Sequence, residues 1–213
     1  MQPGPEYIYQ CSNCENFISR GSLLSGNTFS EKLYSDGKSI APMLPEFPAI
    51  TICSRCKNIF WLDKAKEIGS YNILRPLDEE WSDAEEATFL SIDEYLLALD
   101  NKLAGNVEEE LYIRLRIWWG FNDRVRNGEE LFNNENEKSN WLNNSDRLLE
   151  LLDYNDVNER IMIADLNRNT GNFKKCLEII NSIESNDLNW LKSAFVKECM
   201  NENKKVFLLE IPN

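Results

Sequence analysis

The hydrophobic pattern divides the chain into a β-prone first third and a helical remainder. Up to about residue 68 the apolar positions come in short runs, which predict strands at 7–10, 28–34, 38–43, 49–53 and 58–62. Asp36-Gly37 lies between the second and third runs, and this dipeptide is typical of a two-residue hairpin turn. The first third is therefore predicted to consist of short strands and turns.

From Trp81 onward the apolar residues recur at helical spacing. Ser91 with Glu94 forms a capping-box pattern, and Asn106 with Glu109 repeats it at the start of the next helix. The pattern predicts helices at 91–102, 106–127, 138–152, 156–170, 173–183 and 187–201. A short strand or extended tail is predicted at 206–210. The predicted class is α+β, with a small zinc-ribbon-like β module at 1–68, a linker at 69–80 and an all-α helical domain at 81–213.

Two Cys-x-x-Cys pairs lie 38 residues apart in the β-prone region. Two residues between cysteines allow a tight turn to direct both sulfurs at one cation, and two such turns complete the tetrahedral thiolate shell that zinc prefers. Lengthening the loop between the pairs costs only ~0.6 kcal/mol per doubling, whereas binding at a structural zinc site is worth ~10–16 kcal/mol. The pattern predicts one structural zinc ion bound by Cys11, Cys14, Cys53 and Cys56.

Three other interpretations of these four cysteines stay open. Disulfides would require an oxidising compartment, a thioredoxin-like redox pair would require one Cys-x-x-Cys at the start of a helix, and four thiolates could also bind an iron–sulfur cluster. The two remaining cysteines, Cys176 and Cys199, lie on apolar faces of predicted helices, where small buried hydrophobic residues are expected.

Charge is distributed unevenly along the chain. Residues 1–68 carry seven basic and seven acidic residues, whereas residues 69–213 carry 16 basic and 29 acidic residues, which accounts for the net charge of −13. Because phosphates repel such a surface, the helical part is predicted to bind nucleic acid poorly. No apolar run is long enough to span a membrane, and no basic stretch followed by an apolar one begins the chain, so a cytoplasmic location is expected.

The chain contains no histidine. Ser-His-Asp and Cys-His catalysis are therefore impossible within it, and so is every zinc site that uses histidine. No glycine-rich phosphate loop or nucleophile elbow is present. The chain is predicted not to be an enzyme, although paired carboxylates in the helical domain remain a further catalytic possibility.

Residues 164–180 resemble a tetratricopeptide repeat through Ala164, Gly171, Phe173, Cys176 and Ile180. The first third also carries Tyr34-Ser-Asp-Gly-Lys38, Ala41-Pro-Met-Leu-Pro-Glu46, Cys53-x-x-Cys56 and Phe60-Trp61. Together these motifs resemble an uncharacterised bacterial family of zinc-ribbon proteins with tetratricopeptide-like C-terminal helices. The resemblance implies the same two-part architecture, and it implies no activity.

The densest group of arginine and tryptophan residues lies between positions 114 and 126, and such residues are enriched at binding hot spots. The predicted partner-binding residues are Arg114, Trp118, Trp119, Asn122 and Arg126. Alternatively, these tryptophans belong to the core and the arginines pair with nearby carboxylates. The leading hypothesis is a protein-interaction module with a structural zinc site. The second is a nucleic-acid-associated protein that contacts phosphates through Arg20, Lys32, Lys38, Arg55 and Lys57.

Overall fold

The computed structural model describes residues 1–72 and 81–212, which form two compact units. The N-terminal unit comprises the described residues of 1–31 and 41–103, and the C-terminal unit comprises residues 32–40 and the chain from residue 104 onward. Strands dominate the first part and six helices follow, which confirms the predicted α+β class. The division into a zinc-ribbon-like domain at 1–68 and a helical domain at 81–213 stays a prediction.

The described strands are β1 (Gln2–Pro3), β2 (Glu6–Gln10), β3 (Phe17–Arg20), β4 (Leu23–Ser25), β5 (Lys32–Tyr34), β6 (Ser39–Ile40), β7 (Ile50–Ile52), β8 (Ile59–Trp61), β9 (Lys66–Tyr71), β10 (Glu85–Glu86) and β11 (Leu208–Leu209). The helices are α1 (Ile92–Asp100), α2 (Val107–Arg126), α3 (Glu135–Leu151), α4 (Val157–Asn169), α5 (Phe173–Asn181) and α6 (Asn189–Met200).

Three small sheets build the N-terminal unit. The largest has the strand order β10-β3-β2-β9, in which β10 runs parallel to β3 and the other pairs are antiparallel. Strands β7 and β8 form a hairpin, and β1 pairs with β4. Ile8, Ile18, Ile50 and Leu62 are buried between these elements, because β-branched and aliphatic side chains pack well on pleated surfaces.

Strand β9 was not expected from the sequence, because its residues Lys66-Glu-Ile-Gly-Ser-Tyr71 include two charges and a glycine. Pairing with β2 satisfies its backbone groups despite this weak local pattern. Residues 69–71 of the predicted linker therefore belong to a strand, and residues 73–80 of that linker lie outside the described residues.

Side-chain caps define where the helices begin. Ser91 and Glu94 form the predicted capping box of α1, and the side chain of Asn106 accepts a hydrogen bond from the backbone of Glu109. Helix α3 begins at Glu135, three residues before its predicted start, because Asn134 caps it. The predicted helix α4 is confirmed, with Asp156 as its N-cap.

The Asp36-Gly37 hairpin, residues 32–40, belongs to the C-terminal unit. Its strands β5 and β6 form a sheet with β11 near the chain end, and Gly37 adopts a φ of +76° in the turn. A hairpin forms here as predicted, but its turn is not the predicted two-residue one: Tyr34 bonds to Lys38, so the loop comprises Ser35, Asp36 and Gly37. Its packing against C-terminal helices was not expected for residues predicted to lie in the N-terminal module. The hairpin strands contain too few apolar residues for the sequence pattern to predict which helices they pack against.

The hairpin turn is held by a buried polar network. The Asp36 carboxylate accepts hydrogen bonds from Asn122 Nδ2, at 2.8 Å, and from Arg126 Nη2, both on α2. The Arg126 guanidinium also lies 4.4 Å from the centre of the Tyr34 ring. These contacts satisfy a carboxylate that would otherwise be very costly to bury.

A second buried pair lies beside the first. Arg168 on α4 binds Asp165 Oδ1 through Nε at 2.9 Å and through Nη2 at 2.6 Å, and neither side chain is exposed. Ser35 Oγ lies 3.3 Å from both Asp165 Oδ2 and Arg168 Nη2. Burial raises the pKa of Asp165, and the Arg168 guanidinium opposes that rise. The hairpin therefore contacts α2 and α4 through paired charges.

An ion pair links helices α2 and α3. The carboxylate of Glu110 on α2 binds Arg147 on α3 at 2.9 and 3.0 Å, and it also binds Arg114 on α2 at 2.8 Å. Arg147 and Arg114 lower the pKa of Glu110 from 4.5 to about 2. A carboxylate whose pKa is lower in the folded state stabilises the fold above its unfolded pKa and loses that contribution as the pH falls.

We expect Glu110→Gln to flatten the acid limb of the stability curve between pH 4.5 and 2, because the variant has no carboxylate to protonate there. Urea midpoints measured across this pH range for the wild type and the variant test the prediction. Glu108→Gln, at an exposed position in the same helical turn, is the control and should follow the wild-type curve. Parallel curves for wild type and Glu110→Gln would contradict the role of this carboxylate.

Candidate metal centre

Each Cys-x-x-Cys pair lies in a tight turn that connects two strands. The first turn joins β2 to β3, and the second joins β7 to β8. In the first, the Cys11 amide donates to Asn16 O at 2.9 Å and the Glu15 amide donates to Cys11 O at 3.0 Å. The second turn has the same two bonds, from Cys53 to Asn58 at 2.9 Å and from Lys57 to Cys53 at 2.8 Å.

The two turns bring all four predicted sulfur ligands together. Their Sγ atoms lie within 4.8 Å of one another. Cys11 Sγ is 3.7 Å from Cys56 Sγ, and Cys14 Sγ is 3.6 Å from Cys53 Sγ, so these contacts link one turn to the other. All four are free thiols, and the contacts are much longer than a disulfide bond of about 2.05 Å.

The sulfur separations fit a tetrahedral metal ion. Zinc binds thiolate sulfur at about 2.3 Å, which places the four sulfurs of a regular tetrahedron about 3.8 Å apart. The contacts of 3.6 and 3.7 Å between the turns are close to this value. The residues present therefore fit a four-thiolate metal site.

The site is continuous with the core of the N-terminal unit. Cys11 and Cys53 are buried, whereas Cys14 and Cys56 are partly exposed. The cluster that surrounds them contains residues of strands β2, β3 and β8 and of the segments that follow β8 and β10: Tyr7, Tyr9, Ile18, Phe60, Leu62, Ala65 and Ala87. A metal ion at this position would complete a core that these few apolar side chains form only in part.

The surroundings shift the pKa values of Cys14 and Cys56 in opposite directions. The Asn16 amide lowers the pKa of Cys14, but burial and the three neighbouring sulfurs outweigh it and raise the pKa to about 12. The Asn13 side chain and the Asn58 amide lower the pKa of Cys56 to about 6. A divalent cation among the sulfurs would instead stabilise all four as thiolates.

A repeated motif around the cysteines was missed in the sequence. Residues 11–16 and 53–58 both read Cys-Ser-x-Cys-x-Asn, and the residue after the second cysteine has a positive φ in each, 61° at Glu15 and 60° at Lys57. Asn58 Nδ2 also donates to Ser12 Oγ at 3.3 Å, which bridges the two turns. Aligning the chain with itself at a shift of 42 residues reveals this signal.

The predicted partner-binding residues all lie on α2: Arg114, Trp118, Trp119, Asn122 and Arg126. Trp118 is fully buried and its Nε1 donates to Asn169 Oδ1 at 3.2 Å. Trp119 Nε1 donates to the carbonyl of Asp36 at 3.0 Å, and Arg114 binds Glu110. Asn122 and Arg126 both donate hydrogen bonds to the Asp36 carboxylate. Each of the five has a partner inside its own unit, and their role in binding another protein stays a prediction.

The five predicted phosphate-contacting residues are divided between the units. The N-terminal unit contains Arg20, Arg55 and Lys57, whereas Lys32 and Lys38 belong to the hairpin of the C-terminal unit. Lys38 Nζ binds Asp123 Oδ2 at 2.6 Å. A carboxylate thus already neutralises this lysine, and nucleic-acid binding by the set stays a prediction.

The two remaining cysteines, Cys176 on α5 and Cys199 on α6, are buried as expected, and burial raises the pKa of both thiols.

No family model, curated protein or solved structure matches the chain. Among the described helices, none has the length and apolar character needed to cross a membrane.

Proposed function

We propose that the chain is a non-enzymatic protein-interaction module whose N-terminal unit is held together by one structural zinc ion. The observation that carries this proposal is the convergence of four cysteine sulfurs from two turns that are distant in the sequence. Four protein ligands leave no coordination position open for a substrate or water, which is the arrangement of a structural zinc site.

Four thiolates can also bind an iron–sulfur cluster, and elemental analysis for iron and zinc distinguishes the two. Zinc has no geometric preference from d-electrons and takes the tetrahedral shell that the turns provide. The metal would fix the β2–β3 and β7–β8 hairpins against each other, since each hairpin contributes one cysteine pair.

The protein-interaction part of the proposal rests on exposed apolar side chains. Phe29 in the N-terminal unit is 76% exposed, and Met200 in the C-terminal unit is 77% exposed. Large apolar side chains of this kind, when they belong to an extended patch, mark sites where proteins associate. Leu24, Met43 and Leu44 add further exposed apolar surface to the N-terminal unit.

Elemental analysis of the purified chain tests the metal site, with an expected content of one zinc per chain. Affinity capture from lysate by the zinc-loaded protein, followed by reciprocal capture with the identified partner, tests the interaction. A metal-free protein with a folded N-terminal unit would overturn the zinc assignment. Failure of the zinc-loaded protein to retain any specific partner would overturn the assignment as an interaction module.

A further inference from the structure

A shallow groove of about 550 Å³ runs along the last helix of the C-terminal unit. Six of its lining residues come from α6, and they recur at intervals of three and four along its whole length: Asn189, Lys192, Ser193, Val196, Lys197 and Met200. This spacing places them on one face of the helix. Asn181, at the end of α5, contributes to the lining from the neighbouring helix.

Two residues of the groove lining, Val196 and Met200, are apolar. Val196 is partly exposed, and Met200 is 77% exposed at the C-terminal end of the helix. Methionine is flexible and polarisable, so it adapts to apolar partners of different shapes. The opposite face of α6 is buried through Leu191, Phe195 and Cys199, which shows that the helix already has its intramolecular contacts on that side.

The charge of the groove contrasts with that of the chain. Lys192 and Lys197 line the groove together with Val196 and Met200, and no acidic residue lines it among the described residues. Neither lysine forms an ion pair within the described part of the chain, and neither do Lys174 and Lys205, which are exposed outside the groove. A protein with a net charge of −13 thus presents two unneutralised lysines beside an exposed methionine.

We propose that this groove binds an acidic amphipathic helix of a protein partner. The proposal rests on the proposed function and names the class of partner that the C-terminal unit takes. The groove follows twelve helical residues, about 18 Å of helix axis, which matches roughly three turns of a partner helix. Apolar side chains of the partner would contact Val196 and Met200, and its carboxylates would pair with Lys192 and Lys197.

The probe for the test is a fluorescently labelled synthetic peptide with leucine at positions i, i+3, i+4 and i+7 and glutamate beside them. Two matched peptides replace glutamate by lysine or leucine by serine. Fluorescence anisotropy measures binding to the zinc-loaded full chain. Because the chain has four methionines, methyl NMR reports separately on Met200 and on Met162 as an internal control.

We expect the acidic peptide to bind saturably and to shift the Met200 methyl signal while leaving that of Met162 in place. Lys192→Glu combined with Lys197→Glu should weaken binding about tenfold or more, since it replaces two attractive charges with repulsive ones. The matched control is Lys174→Glu with Lys205→Glu, which reverses two exposed lysines outside the groove lining and should change binding less.

Equal binding of the lysine peptide, an unmoved Met200 signal, or equal losses in the two double variants would overturn the groove assignment. If wild type and the Lys192→Glu, Lys197→Glu variant both retain a natural partner, the chain is an interaction module but the partner does not bind in this groove, and the groove assignment is overturned. Absence of any natural partner for the wild type would instead overturn the proposed function itself.

Discussion

Replacement of Cys53 by serine should release the metal ion and unfold the N-terminal unit. Cys53 is fully buried in the cluster that also contains Cys11, and its sulfur lies 3.6 Å from that of Cys14. Structural zinc contributes about 10–16 kcal/mol of binding free energy, whereas a whole domain is stable by only about 5–15 kcal/mol. Loss of one thiolate therefore removes a contribution comparable to the entire stability of the unit.

The expected result is a fall in bound zinc from one per chain to near zero, with loss of amide NMR dispersion for residues of β2, β3, β7 and β8. A chelator added to the wild type should give the same spectrum, and added zinc should reverse the change only in the wild type. Cys176→Ala is the matched control, because it removes a buried cysteine from the C-terminal unit and should retain the metal. Unchanged zinc content together with an unchanged NMR spectrum for Cys53→Ser would contradict the role of this sulfur as a ligand of the shared ion.

Replacement of Asp36 by alanine should destabilise the C-terminal unit by about 1–3 kcal/mol, because it removes the buried carboxylate that binds Asn122 and Arg126 and leaves Arg126 with Asp123 as its remaining ion-pair partner. The Arg126 Nε already has no hydrogen-bond partner among the described residues, and Asn122 Nδ2 would lose its acceptor as well. Chemical denaturation followed by far-UV circular dichroism measures the change, since this unit contains most of the helices.

Glu178→Ala provides the control, because it breaks an ion pair with Lys175 in which both side chains are more than half exposed. Exposed pairs of this kind contribute about 0–1 kcal/mol. A loss for Asp36→Ala no greater than that for Glu178→Ala would mean that the hairpin turn is not anchored to α2 in solution. Asp36→Asn should give an intermediate loss, since an amide keeps the shape and part of the hydrogen bonding but not the charge.

Local sequence patterns predicted the helix starts well where a side-chain cap was present. Asn106 and Asp156 begin their helices at the predicted positions, because the capping hydrogen bond involves residues only two or three apart. The start of α3 was predicted too late, since Asn134 lies within a polar run that offers several candidate caps. Strand β9 was not predicted at all, because its backbone partners in β2 are more than fifty residues away.

The candidate metal site was predictable for a related reason. Each Cys-x-x-Cys turn is local, and tetrahedral thiolate chemistry requires two such turns at one ion. The motif repeated at 11–16 and 53–58 was also present in the sequence. The sequence could not supply the Asn58–Ser12 contact, since that hydrogen bond depends on how the two turns face each other.

Sequence alone determined the α+β class, the caps at Ser91, Asn106 and Asp156, the presence of a hairpin at Asp36-Gly37 and the four cysteines that converge, because each depends on contacts between near neighbours or on the chemistry of one ion. Tertiary structure alone decided that the hairpin packs in the C-terminal unit, that Trp118 is buried, and that Lys192, Lys197 and Met200 line an open groove. Burial and pairing depend on which surfaces meet, and residues distant in the sequence create those surfaces only when the chain has folded.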